Sequence, residues 1–423
     1  MVRRVKVIVF VLALAAVGFL LHAKFFPVEV SARATSGSAA VPAEKGGQDI
    51  SGPYNVVVDW PKPMSQMPGH ESWTWGSVDG VFAQSANRVY IFQRGEVPVL
   101  RRPAVLPLPQ FGPSLSFPIS GLPFRNVGQG PVSSPPGPEG SDANWKGKYG
   151  ADGRWEHCLV VVDASGKIIE AWTQWDKMFK HPHAVFMNPY DPQKAVWVVD
   201  DERQAVFKFS NDGEKLLLTL GTPDVPGNDE THLGRPTFLA WLPDSTMFLA
   251  DGYVNTRVVK YDKNGKYLMS WGQKGNPPNE TRPGYFNTVH GIAVDPMTRR
   301  IFVNDRENRR IQVFDENGKF IDQWSFGPVS SVYFIYMSAD RHLWAADAAT
   351  SKILEYDLNG HFLYSWGTLG DWPGSLWGVH QISVDSDGNL YVSEVEAGRA
   401  QKFAPRKGAN PELLVGKPPK GAW

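Results

Sequence analysis

The stretch HGIAVDPMTRRIFVNDRENRRIQVFDENGKFIDQWSFG, residues 290–327, decides how the rest of the chain is read. It opens with an apolar run, turns at Asp295-Pro296, and continues through a second apolar run that ends in Asp305. A third run ends in Phe314-Asp315, Asn317-Gly318 comes next, and a fourth run ends in Trp324. Short runs rich in Val, Ile and Phe, separated by residues suited to tight turns, predict four strands linked as hairpins. The template recurs on both sides. It returns as FLAWLPDSTMFLADGYVNTRVVKYDKNGKYLMSWG from Phe238 to Gly272, as LWAADAATSKILEYDLNGHFLYSWG within Val332–Gly367, and as VWVVDDERQAVFKFSNDGEKLLLTLG within His183–Gly221. A degenerate copy from His380 keeps ISVDSDGNLYVSEVEAGRAQKF. The first copy is split into VDGVFAQSANRVYIFQRG (Val78–Gly95) and CLVVVDASGKIIEAWTQW (Cys158–Trp175).

One such unit cannot bury both faces of its sheet, and radial packing of six removes the problem. The expectation is an all-β, six-bladed β-propeller, with four-stranded antiparallel blades around a central channel. The D-x-x-N-x-R-I-Q-V-F-D-x-x-G-K-F pattern of residues 305–320 resembles the NHL class of propeller repeats. One domain over 54–416, with a tail at 417–423, replaces the two or three domains that length alone admits. A pair of unrelated β-sandwiches leaves the repeat without a cause.

Composition agrees. Trp 16, Tyr 13 and Phe 23, with Gly 41 and Pro 34, suit strands and turns rather than long helices. Lys plus Arg and Asp plus Glu balance at 43 each, so no nucleic-acid partner is expected. The single cysteine, Cys158, excludes an intramolecular disulfide and any thiolate cluster, so nitrogen and oxygen must hold any metal. Arg3, Arg4 and Lys6 precede the uncharged run Val7–Leu21, the layout of a signal peptide or signal anchor over 1–30. Either exports the remainder of the chain, so the working domain is expected to be extracytoplasmic: periplasmic, secreted, or anchored facing outward. Residues 31–53 read as a flexible linker. Residues 96–156 interrupt the first blade, with ten prolines between Pro103 and Pro138, and read as a Pro-rich lid, binding loop or disordered insertion.

His183 (PHAVFM), His290 (VHGIAV) and His380 (VHQISV) each open the first strand of a copy. First strands line a propeller's channel, and the second, fourth and sixth blades lie about 120° apart, so the imidazoles are expected to converge on the axis. Three neutral imidazoles with an open fourth position form a catalytic zinc donor set, and iron, copper or cobalt remain admissible. The intervening blades place Phe238, a residue near Val332–Tyr333, and Asp79 or a neighbour in that register. The other histidines, His70, His157, His232, His342 and His361, fall in loops or scattered registers, and His181 falls near the channel mouth. A second register, at the end of each second strand, gives Arg94, Asp201, Gly252-Tyr253, Arg306, Ala348 and Val395. Arg94 and Arg306 are suited to gripping a carboxylate, and Tyr253 to accepting a proton if a cation lowers its pKa. Asp200, Asp251, Asp305 and Asp347 recur in every good copy and read as structural acceptors at turns.

At these residues the chain resembles peptidyl-α-hydroxyglycine α-amidating lyase, over about Trp75–Phe403. The resemblance implies a zinc held by three channel histidines, matched by His183, His290 and His380. It implies a catalytic tyrosine in D-G-Y-x-N-x-R, matched by Tyr253 in DGYVNTR. Two active-site arginines are matched by Arg94 in IFQRG and Arg306 in NDREN. The implied reaction is carbinolamide C–N cleavage to an amide and glyoxylate, on a small-molecule or peptide substrate that bears a carboxylate. The chain departs from the family at Gln381, where an acid serves structural calcium, so calcium is not expected. It also departs at Gly378, where the family has a methionine. The competing expectation is a non-catalytic propeller scaffold with a structural channel metal and a protein or ligand partner. A lactonase-type hydrolase needs acidic metal ligands, which this register largely lacks.

Overall fold

Period-2 apolar patterning in every copy produces strands that are buried on both faces near the axis and half-exposed at the rim. The computed structural model describes residues 50–99, 106–107, 116–117, 154–419 and 421. The expected targeting segment, most of the linker and most of the Pro-rich insertion lie outside the described residues. Among those described, six four-stranded antiparallel sheets form the blades of a propeller. The innermost strands are Val78–Ser85, Pro182–Met187, Pro236–Trp241, Val289–Val294, Val332–Met337 and Val379–Val384. In blade 1 the insertion falls between the second strand, Arg88–Gln93, and the third, Leu159–Val162.

The repeat's two most regular residues meet across the blade seams. Gly213, Gly318 and Gly360 have φ of +74°, +78° and +83°. A Cβ on them would stand 2.3, 2.9 and 2.4 Å from Trp172, Trp271 and Trp324 of the preceding blade. Only glycine tolerates both the left-handed backbone and the indole pressed against it. The asparagines before Gly265, Gly318 and Gly360 keep negative φ, so these hairpins turn through the glycine alone and not through a two-residue type I′ turn.

For ring closure the sequence offers two segments, Tyr54–Trp60 and one near Leu413–Val415. Tyr54–Val56 takes the role, pairing antiparallel with Arg399–Pro405 as the outermost strand of blade 6. Pro411–Leu413 is a 3-10 turn, with proline at its start, and not a strand. Tyr54 is fully buried, packs 5.7 Å from Trp366 and 6.4 Å from Phe403, and accepts the Val415 amide at 2.7 Å.

Tyr54→Ala is expected to lower the free energy of unfolding by about 3–5 kcal/mol, as other buried aromatic truncations do. Guanidinium denaturation reads this, and a loss within the scatter of the wild-type curve would show that the N-terminal strand does not latch the ring.

Candidate metal centre

Each inner strand begins with a break in register against the second strand: Val78/Gly80, Pro182/Ala184, Pro236/Leu239, Val289/Ile292, Val332/Phe334 and Val379/Ile382. A bulge turns the residue it contains, and here those residues are turned to the axis. The mouth residues fix the equivalence of the blades. Arg94, Tyr253, Arg306, Ala348 and Val395 donate their backbone N–H to the carbonyls of Ser77, Arg235, Thr288, Ser331 and Gly378, at 2.9–3.1 Å. Two residues further along come Asp79, Thr237, His290, Tyr333 and His380, with His183 completing the ring. Phe238 therefore does not hold the register position. Thr237 does, its hydroxyl on the carbonyl of His290 at 2.7 Å, while the Phe238 ring lies 4.9–5.2 Å from all three histidines as the floor beneath them.

The carboxylates at the ends of the second strands act as clamps, as expected of turn acceptors. Asp200, Asp251, Asp305 and Asp347 accept the amides of His181, Gly234, Asn287 and Ser331. Gln93 and Glu394 do the same for Gly76 and Trp377 in blades 1 and 6.

The three imidazoles are buried, with ring centroids 4.7–5.6 Å apart. Each Nδ1–H donates to a carbonyl of the following blade: His183 to Thr237 at 3.1 Å, His290 to Tyr333 at 2.6 Å, His380 to Asp79 at 2.7 Å. A carbonyl only accepts, so this fixes the tautomer and leaves a lone pair on every Nε2. One ligand atom from each histidine lies within 4.8 Å of the others. Burial holds all three pKa values below the ordinary imidazole range, His380 at about 3. The neighbouring imidazoles add to this at His183, and Arg306 adds to it at His290. Buried, neutral and with a lone pair on each Nε2, the set fits a divalent transition metal of zinc type.

Tyr253 seats its hydroxyl 2.8 Å from His290 Nε2 and 3.2 Å from His183 Nε2. Burial pushes its pKa up to about 12, against the pull of Arg306 and Arg94. Arg306 lies 5.2 Å from the Tyr253 ring and 5.1 Å from Tyr333, and its guanidinium also pairs with the exposed Glu307 at 3.1 Å. Arg94 is buried and paired with Asp79 at 2.5 Å. Burial lifts the Asp79 pKa to about 7, and Arg94 opposes that rise. The structure thus brings the six residues singled out in the sequence to one end of one channel. It adds Arg235, which sequence reasoning misses. Its guanidinium lies 4.6 Å over the Tyr253 ring and bonds Asp201 at 2.5 and 2.8 Å. The signal is positional, since Arg235 precedes Thr237 by two, as His181 precedes His183. His181 also bonds Asp201, at 2.5 Å. Burial disfavours the Asp201 anion, yet the His181 hydrogen bond and the Arg235 guanidinium hold its carboxyl well below the usual range.

Gln381 occupies the place where the resemblance expects a calcium-binding acid. Its side-chain amide donates to the Val185 carbonyl at 2.8 Å and accepts the Val185 N–H at 3.2 Å, tying blade 6 to blade 2.

No family model matches the chain. It is similar to peptidyl-glycine alpha-amidating monooxygenase A of Xenopus laevis, 30% identical over 272 residues, which cover 60% of this chain and 27% of that protein. It is 29% identical over 288 residues to peptidyl-alpha-hydroxyglycine alpha-amidating lyase 1 of Drosophila melanogaster, covering 63% of this chain and 52% of that one. Peptidylglycine alpha-amidating monooxygenase of Rattus norvegicus is 28% identical over 358 residues, 81% of this chain and 32% of its own length. The chain therefore spans between about a quarter and a half of these curated relatives.

Neutral imidazole is the ligand form, and a depressed pKa preserves it as the pH falls. Zinc affinity at the channel is therefore expected to change by less than about tenfold between pH 8 and pH 5, whereas three imidazoles titrating near ~6.5 would each forfeit about thirtyfold. Calorimetric titration with zinc chloride at the two pH values decides between these outcomes.

Proposed function

We propose that the protein is an extracytoplasmic, metal-dependent lyase that cleaves a carbinolamide C–N bond to give an amide and glyoxylate, or performs a related reaction on a small carboxylate-bearing substrate. The observation that carries this reading is the Tyr253 hydroxyl, within hydrogen-bonding distance of Nε2 of both His183 and His290, with Arg306 beside its ring. A purely structural metal needs no phenol there and no arginine over it. The names of the relatives, which include an amidating lyase, support the same choice.

The Nε2 atoms of His183, His290 and His380 would hold the metal, which when bound supplies Lewis-acid polarisation of a substrate oxygen. Tyr253, as its phenolate, takes the proton of the substrate hydroxyl. The C–O bond becomes a carbonyl as the C–N bond breaks, and the phenol so formed returns that proton to the leaving amide nitrogen. Deprotonating a phenol held at about 12 is unfavourable near neutrality, so the cations around it set the rate. Arg306, whose other partner is the solvent-exposed Glu307, is placed to bind the substrate carboxylate as well. Arg94 is committed to Asp79 and acts through its field on Tyr253 and the imidazoles.

Glyoxylate release from an α-hydroxyglycine amide tests the reading. Tyr253→Phe is expected to lower kcat by about 10²–10⁴-fold, the range for loss of a general base, with metal content unchanged. Arg306→Ala is expected to lower kcat, because the Tyr253 phenolate loses a cation that stabilises it, and to raise KM as well. A zinc-loaded wild type that releases no glyoxylate would reject the lyase and leave the scaffold reading.

A further inference from the structure

A second cluster stands away from the channel, at the neck of the Pro-rich insertion. Glu96 and Arg154, at the two ends of that neck, exchange backbone hydrogen bonds at 2.7 Å in both directions. The Glu96 carboxylate is fully buried and spans two imidazoles: Oε2 lies 2.8 Å from His70 Nδ1, and Oε1 lies 2.5 Å from His157 Nδ1. The two rings stand edge to face with centroids 4.8 Å apart. His157 is held in a left-handed conformation, φ +57°, with its amide on Asp176 at 3.0 Å and its carbonyl on the Gln93 side chain at 3.0 Å. Glu156, next in the chain, approaches Arg154 at 3.9 Å. One nitrogen of His70, one of His157 and one oxygen of Glu156 lie within 4.8 Å of one another.

We propose that His70, His157 and Glu156 bind a divalent transition metal, zinc first among them, in a site distinct from the channel. A buried carboxylate that accepts Nδ1–H from both rings fixes both tautomers and presents both Nε2 lone pairs, which is how carboxylates support metal-bound histidines. Two imidazoles and one carboxylate make a zinc donor set with a fourth position open. Glu156 is half-exposed, so its side chain has room to turn toward the two rings. The ion would join three stretches: the turn before blade 1 that carries His70, the strand end that carries Glu96, and the return from the insertion at Glu156 and His157. Glu96 lies two residues beyond Arg94, so the clip would also steady the arginine paired with Asp79.

The test uses the full chain, stripped with chelator, dialysed against zinc chloride, and counted for metal by elemental mass spectrometry, with thermal melting to confirm folding. The wild type is expected to hold two equivalents and H183A/H290A one. Adding H70A or E156Q to that double variant is expected to remove the last equivalent or weaken it at least tenfold. Both changes lie outside the blades, and Gln preserves the shape of Glu156. A folded H183A/H290A chain that holds no zinc overturns the neck site, and one equivalent in the wild type would then uphold the channel alone. One equivalent in both chains, lost on H70A, upholds the neck and rejects the channel. Zinc that survives both H70A and E156Q lies elsewhere and overturns the proposal.

Discussion

Three hydrogen bonds between neighbouring blades set the centre of this propeller, each from an imidazole Nδ1–H to the carbonyl of the bulged residue in the next blade. Donor and acceptor never belong to the same sheet. A blade folded by itself would carry a histidine with no fixed tautomer and no defined direction. The dependence is sharpest at His380, whose acceptor is Asp79, because that bond runs from the last blade to the first. The site therefore requires a closed ring, and closure rests on Tyr54–Val56 at the rim of blade 6. The tryptophan–glycine contacts at the outer seams fix the spacing of the blades, and the inner bulges convert that spacing into convergence on the axis.

Electrostatics at the mouth derive from burial. Arg94, Arg235 and Arg306 bring three cations to one end of the channel, where Asp79, Asp201, Glu202 and Glu307 are paired with them. Burial disfavours imidazolium first and the field of Arg94 and Arg306 adds to it, which keeps the histidines available as ligands. The same field draws the Tyr253 pKa down from where burial alone would leave it. The neutral imidazoles thus serve a metal, while the arginines beside them serve a carboxylate and a phenolate.

The repeat makes the blades legible, because a strand template written six times leaves little freedom in topology. It also makes the histidines legible, since alternate blades repeat them in one register. The bulges are not legible. A bulge adds a residue that the strand pattern cannot count, which is why the pattern puts Phe238 where Thr237 stands. His70 and His157 read as loop histidines because what joins them is Glu96, distant from His157 in sequence and near only through the insertion neck. Arg235 is hidden for a related reason, since its partners Asp201 and Tyr253 come from different blades. Registers within a repeat can be read from sequence, whereas contacts between repeats need the ring.

The departures at Gln381 and Gly378 have the same geometric origin. A cation coordinated by an acid at position 381 would bring charge into the channel wall, where every anion costs desolvation. Gln381 instead makes two hydrogen bonds to the backbone of Val185, so a neutral side chain joins blades 6 and 2 across blade 1. Gly378 has φ +65°, and a Cβ on it would come within 2.3 Å of the Glu396 side chain. A methionine there would need both a different backbone and a displaced Glu396. The space a side chain at 378 would take is accordingly held by Glu396, itself exposed. The ligand set and its carbonyl supports are dictated by the ring, while the rim around them is free to differ, and it is the rim that a substrate's remaining atoms would touch.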